Sequence, residues 1–341
     1  MIGLERIGLL MKKIIRLVSL LLTAALTSCL LFGCALPSPV PADDSATAQN
    51  EEAYDDVGTI DSAPLISVTD MTGNVINMDA FASRIVVLDA ADCEILFAIG
   101  AGEQVVGRVE ECDYPEAAGT IPYVTAGGLI DSDLILAQNP QVVVMTAEQA
   151  QDSGLLTTLR DAEVQTIVTN VTDFNDLYSA ITLLGAIADR VAEAGSLVAN
   201  LLTAFAAIQS QTDGGNEKTV YFELSPLADG LQTAGSGTLL NSVALLLGLR
   251  NEFEDLEGYV DLTAEDVINR SPDIIVTIAP DAEDGTTAAD EILARPGWES
   301  VHAVVSKSVY AVDGASLLRS GPRLIDAVQA LYTSIYGEAV E

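Results

Sequence analysis

The residues that could carry out chemistry in this chain are few and widely spaced. The chain contains one histidine, His302, whereas protein sites for zinc or manganese commonly use two or more imidazoles. The one carboxylate pair that could serve a hydrolase is Glu223 with Asp229, and the sequence has neither a Gly-x-Ser-x-Gly nucleophile elbow nor a phosphate-binding Gly-x-x-x-x-Gly-Lys-Ser/Thr loop. These residue types favour a binding protein over an enzyme, and they predict no resident metal and no cofactor.

The N-terminus has the pattern of an export signal. An apolar run from Leu17 to Phe32 follows the basic residues Lys12, Lys13 and Arg16, which is the order of the charged and apolar regions in such signals. A glycine then precedes Cys34, as in lipoprotein signals whose cysteine receives a lipid after cleavage. Cys29 fits almost as well, and an uncleaved anchor of about 20 apolar residues is a further alternative. Cys34 is preferred because a polar, proline-rich stretch follows it directly.

Acidic residues dominate the charge of the chain and the segment that follows the signal. The formal net charge is -35 at pH 7. Such a surface repels phosphate backbones, which argues against nucleic acid as a partner. Residues 34–63 combine Pro, Ser, Ala and acids without apolar periodicity. We therefore expect them to form a flexible tether between the membrane and the folded body.

Short apolar runs alternate with helical stretches from Arg84 onward. This alternation predicts α/β units on mostly parallel sheets. Strands are predicted at 85–88, 105–107, 142–145 and 166–169 in a first set, and at 219–224, 274–278 and 309–312 in a second. A hairpin of residues 66–69 and 75–78 precedes both sets, and His302 is expected at the surface or in packing just before the last strand.

The two sets of strands are separated by one helical stretch. Residues 173–211 carry Leu, Ile, Val and Ala at helical spacing without proline, enough for a helix of roughly 55 to 60 Å. The sequence therefore predicts an N-terminal lobe over 64–171, an interlobe helix over 172–212 and a C-terminal lobe over 213–341.

The two predicted lobes also resemble each other in sequence. Asp133 lies seven residues before Pro140, and Glu265 lies seven residues before Pro272. Both segments have an acidic helix start, a short helix, a proline and a buried strand. The segment 96–107 similarly matches 244–255, because each is an apolar helix closed by glycine. The pattern indicates two diverged copies of one unit, and chance similarity between α/β units is the alternative.

Cys93 and Cys112 are the cysteines that follow the signal region. In an exported protein they could form a disulfide. The sequence does not establish that their Cα atoms approach within the ~7 Å that a disulfide requires. A disulfide and two free thiols therefore both remain open.

Several short segments, spread over residues 66–336, resemble the periplasmic binding proteins that serve siderophore, haem and vitamin B12 importers. Their order and spacing, more than any one motif, carry the resemblance. The segments are Arg84 to Leu88 with Glu94 and Ala98 to Gly102, Val106 to Arg108, Cys112 to Pro115, Asn139-Pro140, Thr233 to Thr238, Ser271 to Asp273, and Ser320 to Arg323.

The resemblance implies a class III periplasmic binding protein: an α/β fold of two Rossmann-like lobes with mostly parallel sheets, joined by one long α-helix. It implies a role as an extracytoplasmic, lipid-anchored and monomeric partner of an ABC permease and its ATPase. An acidic residue on each lobe is expected to dock onto arginines of the permease, and the matching positions are Asp133 and Glu265. The first position is usually Glu in this family, so the shorter Asp133 departs from the pattern.

The ligand is expected in the cleft between the lobes, on loops at the ends of strands. The candidate ligand-binding residues are Arg108, Tyr114, Gly127, Ser236, Tyr259 and Arg319. Arg108 and Arg319 are the candidates for an anionic group on the ligand, because basic residues are scarce. Arg323 is expected to be structural.

The resemblance implies a metal chelate as ligand, and the residues favour an iron-siderophore complex over cobalamin. Vitamin B12 binders of the family present several aromatic side chains to the corrin. Tyr259 occupies one such position, but Glu111, Gly127 and Ser316 occupy others. A surface-anchored sensor or adhesion domain without a transport role is the alternative function.

Overall fold

The computed structural model describes residues 65–212, 218–281 and 285–337. The predicted signal peptide (1–33), the predicted lipid site Cys34 and the predicted tether (34–63) lie outside the described residues. They remain predictions from the sequence.

The N-terminal lobe is built on a parallel four-stranded sheet. Its elements are β1 (Ile66–Thr69), β2 (Val75–Met78), β3 (Ile85–Val87), α1 (Ala90–Ala98), β4 (Val105–Arg108), β5 (Thr125–Ala126), β6 (Leu129–Ile130), α2 (Ser132–Ala137), β7 (Val142–Thr146), α3 (Ser153–Asp161) and β8 (Gln165–Thr169). The sheet has the order β4-β3-β7-β8, and β1 pairs with β2 in the predicted hairpin. Strands β3 and β7 are apolar and buried on both faces, as parallel strands covered by helices must be.

Two helices, and not one, follow this lobe. They are α4 (Phe174–Ile187) and α5 (Val191–Thr212), so the prediction of a single helix over 172–212 is wrong in this detail. Asp189 adopts the left-handed conformation, and the Arg190 N–H donates to the Gly185 carbonyl in the hydrogen bond of a Schellman cap. The 22-residue α5 packs against α4 on one side and against helices of the C-terminal lobe on the other, and it is the long connecting helix.

The C-terminal lobe contains a second parallel four-stranded sheet. Its elements are β9 (Thr219–Glu223), β10 (Leu231–Ala234), α6 (Leu239–Leu246), β11 (Arg250–Asn251), β12 (Tyr259–Leu262), α7 (Ala264–Arg270), β13 (Ile274–Thr277), α8 (Ala288–Leu293), α9 (His302–Ser306), β14 (Val309–Ala311), α10 (Gly314–Leu318) and α11 (Leu324–Tyr336). The sheet order is β11-β9-β13-β14. The antiparallel pair β10–β12, which the sequence analysis did not predict, lies beside it.

The two sheets have the same topology. In each sheet the strand that comes first in the chain lies between the second and the third, and the fourth lies next to the third. The predicted internal repeat also extends to the backbone: Asn139 and Ser271 end their helices with the same left-handed φ of 49°, and each precedes a proline and a buried strand. Gly100 and Gly248 likewise follow α1 and α6 with positive φ. A proline disfavours helical geometry in the residue before it, so each short helix stops at the same place.

Candidate functional site

A cleft lies between the two lobes at the carboxyl ends of β3, β7 and β8. Its volume is about 460 Å³. The N-terminal wall comes from residues that follow these three strands, and the C-terminal wall comes from Tyr259 and Leu318 to Ser320. Crevices at the carboxyl ends of parallel strands are the usual ligand sites of open α/β sheets. The volume is within the range of small-molecule sites, about 300–1,000 Å³.

Two carboxyl groups at the start of α1 form the floor of this cleft. Asp89 caps the helix by accepting hydrogen bonds from the backbone N–H groups of Ala91 and Asp92. The Asp92 side chain is 2% exposed and accepts a 2.7 Å hydrogen bond from the Thr169 hydroxyl. Burial raises the pKa of Asp92 well above its usual range, and the adjacent Asp89 charge raises it further. Burial also raises the pKa of Asp89, against the lowering effect of its N–H donors.

A second cavity of about 880 Å³ adjoins the cleft on the N-terminal lobe. It shares Asp89, Thr146 and Glu148 with the cleft, so the two form a continuous groove. Its far walls are the β5–β6 hairpin and the start of α3. The groove is large enough to hold a chelate that extends beyond the cleft between the lobes.

Charged side chains connect the two lobes beside the cleft. Glu94 on α1 is 3% exposed, and its carboxylate accepts hydrogen bonds from Arg323, including one of 3.1 Å from Nε. Arg319 lies 3.4 Å from the same carboxylate. The structure therefore supports the structural role predicted for Arg323, which binds a carboxylate of the opposite lobe.

The loop at Asp113 and Tyr114 supplies the second half of this interlobe contact. Arg319 Nη1 donates to Asp113 Oδ1 at 2.6 Å, and this hydrogen bond lowers the pKa of Asp113. The guanidinium of Arg323 lies 4.1 Å from the centre of the Tyr114 ring. The side chain of Arg319 lines the cleft, but its charge is paired with carboxylates from the opposite lobe.

The prediction that Arg108 binds the ligand is corrected by its burial. The residue is 2% exposed, and its Nη1 donates to the carbonyl of Cys112 at 2.8 Å. Its guanidinium packs 4.4 Å from the centre of the Tyr123 ring. Arg108 therefore holds the loop that carries Asp113 and Tyr114, and it does not face the cleft.

The other predicted ligand residues take different positions. Tyr259 is 56% exposed and lines the cleft. Gly127 occupies the exposed turn of the β5–β6 hairpin, next to Gly128, which lines the adjoining cavity. Ser236 donates its hydroxyl to the Leu256 carbonyl at 2.9 Å, so this group is committed to the C-terminal lobe.

A family model described as periplasmic binding protein matches residues 85–315 of the chain. The chain belongs to the periplasmic binding protein family. It is 28% identical to an uncharacterized ABC transporter substrate-binding lipoprotein, YvrC, from Bacillus subtilis, over 96% of this chain and 98% of the relative. It is 22% identical to a cobalamin-binding protein from Halobacterium salinarum, over 81% of this chain and 75% of the relative.

Solved structures of other periplasmic binding proteins share this fold. The haem-binding protein RhuT from Roseiflexus sp. RS-1, in apo form, matches with a TM-score of 0.64 and 26% identity, over 75% of this chain and 98% of that one. The predicted fold class is confirmed, as is the predicted role of an extracytoplasmic solute-binding protein of an ABC transporter. The alternative of a sensor or adhesion domain finds no support in these relatives.

This periplasmic binding protein carries its two predicted docking residues on exposed helix starts. Asp133 lies in the first turn of α2, which Asp131 caps, and Glu265 lies in the first turn of α7, which Thr263 caps. Neither carboxylate takes part in a cap. Both are therefore available to a partner.

The residues considered for catalysis have structural partners. Both carboxylate oxygens of the buried Glu223 accept hydrogen bonds from Arg295, at 2.9 and 3.0 Å, while Asp229 is exposed. This arrangement gives no support to a catalytic pair. As the sequence analysis expected, His302 lies at the surface. Its Nδ1 is 2.5 Å from Asp273 Oδ1.

The structure contains Cys93 and Cys112 as free, buried thiols. The Cys112 thiol neighbours that of Cys93 and donates to the carbonyl oxygen of Asp89 at 3.4 Å. Contact with Cys93 and burial both raise the pKa of Cys112.

The sequence analysis missed the acidic floor of the cleft. Asp89 directly follows the first predicted strand of the parallel sheet, Asp92 lies three residues later, and Thr169 ends another strand. Polar residues immediately after buried parallel strands were the available signal, because those strand ends converge on one edge. The sequence analysis instead looked for basic residues that could bind an anion.

Proposed function

We propose that this protein captures a metal chelate of the corrinoid or ferric siderophore type and delivers it to an ABC permease. The observation that carries the proposal is the cleft, whose walls come from both lobes and whose floor holds polar groups without a complete set of partners. The relatives support it, because one is named for cobalamin and a protein of the same fold is named for haem.

Delivery requires the protein to be held near its permease. A lipid on Cys34, followed by the tether of residues 34–63, would keep a monomer at the outer face of the cell membrane. Asp133 and Glu265 would then pair with basic residues on the two halves of the permease. Separated carboxylates of this kind set orientation and speed up encounter through long-range attraction.

A thermal-shift assay with ferric siderophores, haem and cobalamin tests this proposal. A ligand that binds only the folded protein stabilises it by about 2.7 kcal/mol at one hundred times its dissociation constant. We expect at least one chelate to raise the Tm. The variant Tyr259→Ala, which alters an exposed wall residue, should weaken this rise without changing the Tm of the unliganded protein.

The variant Val305→Ala is the matched control. Val305 is 64% exposed on α9 and does not line the cleft, so it should retain the full ligand-dependent rise. If no chelate shifts the Tm at saturating concentration, the proposed function is wrong.

A further inference from the structure

The charges that line the cleft are unequal in sign. Among the described residues that line it, the acids are Asp89, Asp92 and Glu148, and the base is Arg319. The adjoining cavity adds Asp152 and no described base. The charged groups around a bound chelate would therefore be mainly carboxyl groups.

Arg319 does not offset this excess. Its guanidinium is 2.6 Å from Asp113 and 3.4 Å from Glu94, so carboxylates outside the cleft already balance its charge. An anionic ligand would have to compete with both for the same guanidinium. Arg108, the other arginine expected to attract an anion, is buried behind the 109–112 loop.

The acids of the cleft retain acceptor atoms for a ligand. Asp92 is 2% exposed and faces the cleft; its Oδ2 bonds to Thr169, while its Oδ1 has no hydrogen-bond partner among the described residues. Glu148 is exposed at the rim, and its side-chain carboxylate has no hydrogen-bond or ion-pair partner in the described part of the chain. A carboxyl oxygen accepts N–H donors in either protonation state, and an ionised carboxylate also favours positive charge.

We infer that the cleft selects chelates by charge: it accepts cationic or amide-rich neutral chelates and rejects those that present carboxylates or other anionic groups. This inference rests on the proposed function and specifies the class of ligand. Like charges that face each other without water or a counterion are strongly unfavourable, which gives the selection its physical basis. Asp89 and Glu148 are the residues whose charge determines it, and Asp92 contributes a buried hydrogen-bond acceptor.

Charge series on a fixed scaffold test the inference. One series is a ferric linear trihydroxamate whose terminal amine is free, acetylated or succinylated, which makes the end cationic, neutral or anionic. The other compares a cobalamin with its derivative in which one corrin amide is hydrolysed to a carboxylic acid. Dissociation constants are measured by calorimetric titration at pH 7.5.

On the scaffold that binds, we expect the anionic member to bind more than about tenfold more weakly than the neutral one. The double variant Asp89→Asn and Glu148→Gln should reduce this difference to less than about threefold, since both changes remove charge and retain shape. Glu193→Gln, an exposed acid on α5 outside the cleft, should leave the difference unchanged.

The outcomes separate this inference from the proposed function. Equal or tighter binding of the anionic member contradicts charge selection while leaving the proposed function intact. Failure of every member of both series to bind contradicts the proposed function and the inference with it.

Discussion

Asp92 holds a carboxyl group in a place where the protein disfavours its charge. Burial and the adjacent Asp89 both raise its pKa above the ordinary value of 3.8. A carboxyl whose pKa is raised on folding binds its proton more tightly in the folded state. The free energy of unfolding therefore falls as the pH rises from about 3.8 through the raised pKa.

We predict that Asp92→Asn stabilises the unliganded protein at neutral pH. The asparagine oxygen still accepts the Thr169 hydrogen bond, and the penalty for ionising a buried carboxyl disappears. Tm measured from pH 4 to pH 8 should show a gain for the variant that grows with pH, about 2–4 °C for each kcal/mol. A Tm below that of the wild type at pH 8 would contradict this account.

Asp70 provides the opposite case on the same lobe. Burial alone would raise its pKa, but hydrogen bonds from Asn74 and Thr72 outweigh this effect and lower it. Asp70→Asn should therefore decrease the Tm at pH 7, and the loss should shrink as the pH falls through the lowered pKa. The two variants together test whether the signs of both pKa shifts are right.

At the scale of elements, the turn between α4 and α5 depends on Gly185. A Cβ at this position would lie 2.4 Å from the Cβ of Ala194, so α5 could not approach α4 as it does. We predict that Gly185→Ala lowers the free energy of unfolding by about 1–3 kcal/mol, measured by chemical denaturation.

Gly195 is the matched control within α5. It is exposed, and a Cβ there would have nothing within 4 Å. Alanine at this position should therefore raise the free energy of unfolding by about 0.5–1 kcal/mol through helix propensity alone. Similar effects of the two substitutions would contradict the close packing of α4 on α5.

Glu94 joins α1 of one lobe to the loop before α11 of the other. Glu94→Gln keeps the shape of the side chain but leaves Arg319 and Arg323 without their shared charge partner. Because the arginines are partly hydrated, we expect a loss of about 2 kcal/mol, less than breaking a fully buried pair costs. The measurement is chemical denaturation.

Asp255→Asn breaks an ion pair of similar length with Arg270, but at an exposed site. Surface pairs contribute little to stability, so this control should be nearly neutral. If Glu94→Gln were equally neutral, the interlobe pairs would have no role in holding the lobes together.

The strands and helices of this fold were more predictable from the sequence than the residues at which the helices end. Strands such as 85–88 and 142–145 are short apolar runs, and their burial follows from composition. The end of α4 at Ile187 was missed because Asp189 takes a left-handed backbone conformation, which its residue type does not predict. The pair β10–β12 was missed because β10 has polar residues between its buried ends, and β12 alternates exposed and half-buried residues without a buried apolar face.

The candidate site was predictable in part. Tyr259 and Arg319, which the sequence analysis chose for ligand binding, line the cleft, whereas Arg108 is buried away from it. Its burial depends on Tyr123 and on the carbonyl of Cys112, contacts that arise only in three dimensions. To predict that Asp89 and Asp92 form the floor of the cleft, one would have to know which strand ends converge there.

At the scale of the whole molecule, transport requires two separate surfaces: a cleft for the ligand and exposed acids for the permease. We predict that reversing both Asp133 and Glu265 to lysine abolishes chelate uptake by cells while the dissociation constant of the purified protein stays within about twofold. Reversal of the exposed Glu103 and Glu193 changes the net charge equally and should leave uptake intact. A changed affinity would mean that Asp133 and Glu265 do not belong to a docking surface.

Anomalous diffraction tests the central claim most directly. Crystals grown with the stabilising chelate would be measured at the absorption edge of its iron or cobalt. We expect one strong peak in the groove, between Asp89 on the N-terminal lobe and Tyr259 on the C-terminal lobe. A metal peak on an outer surface of either lobe, with the groove free of chelate, would contradict the account.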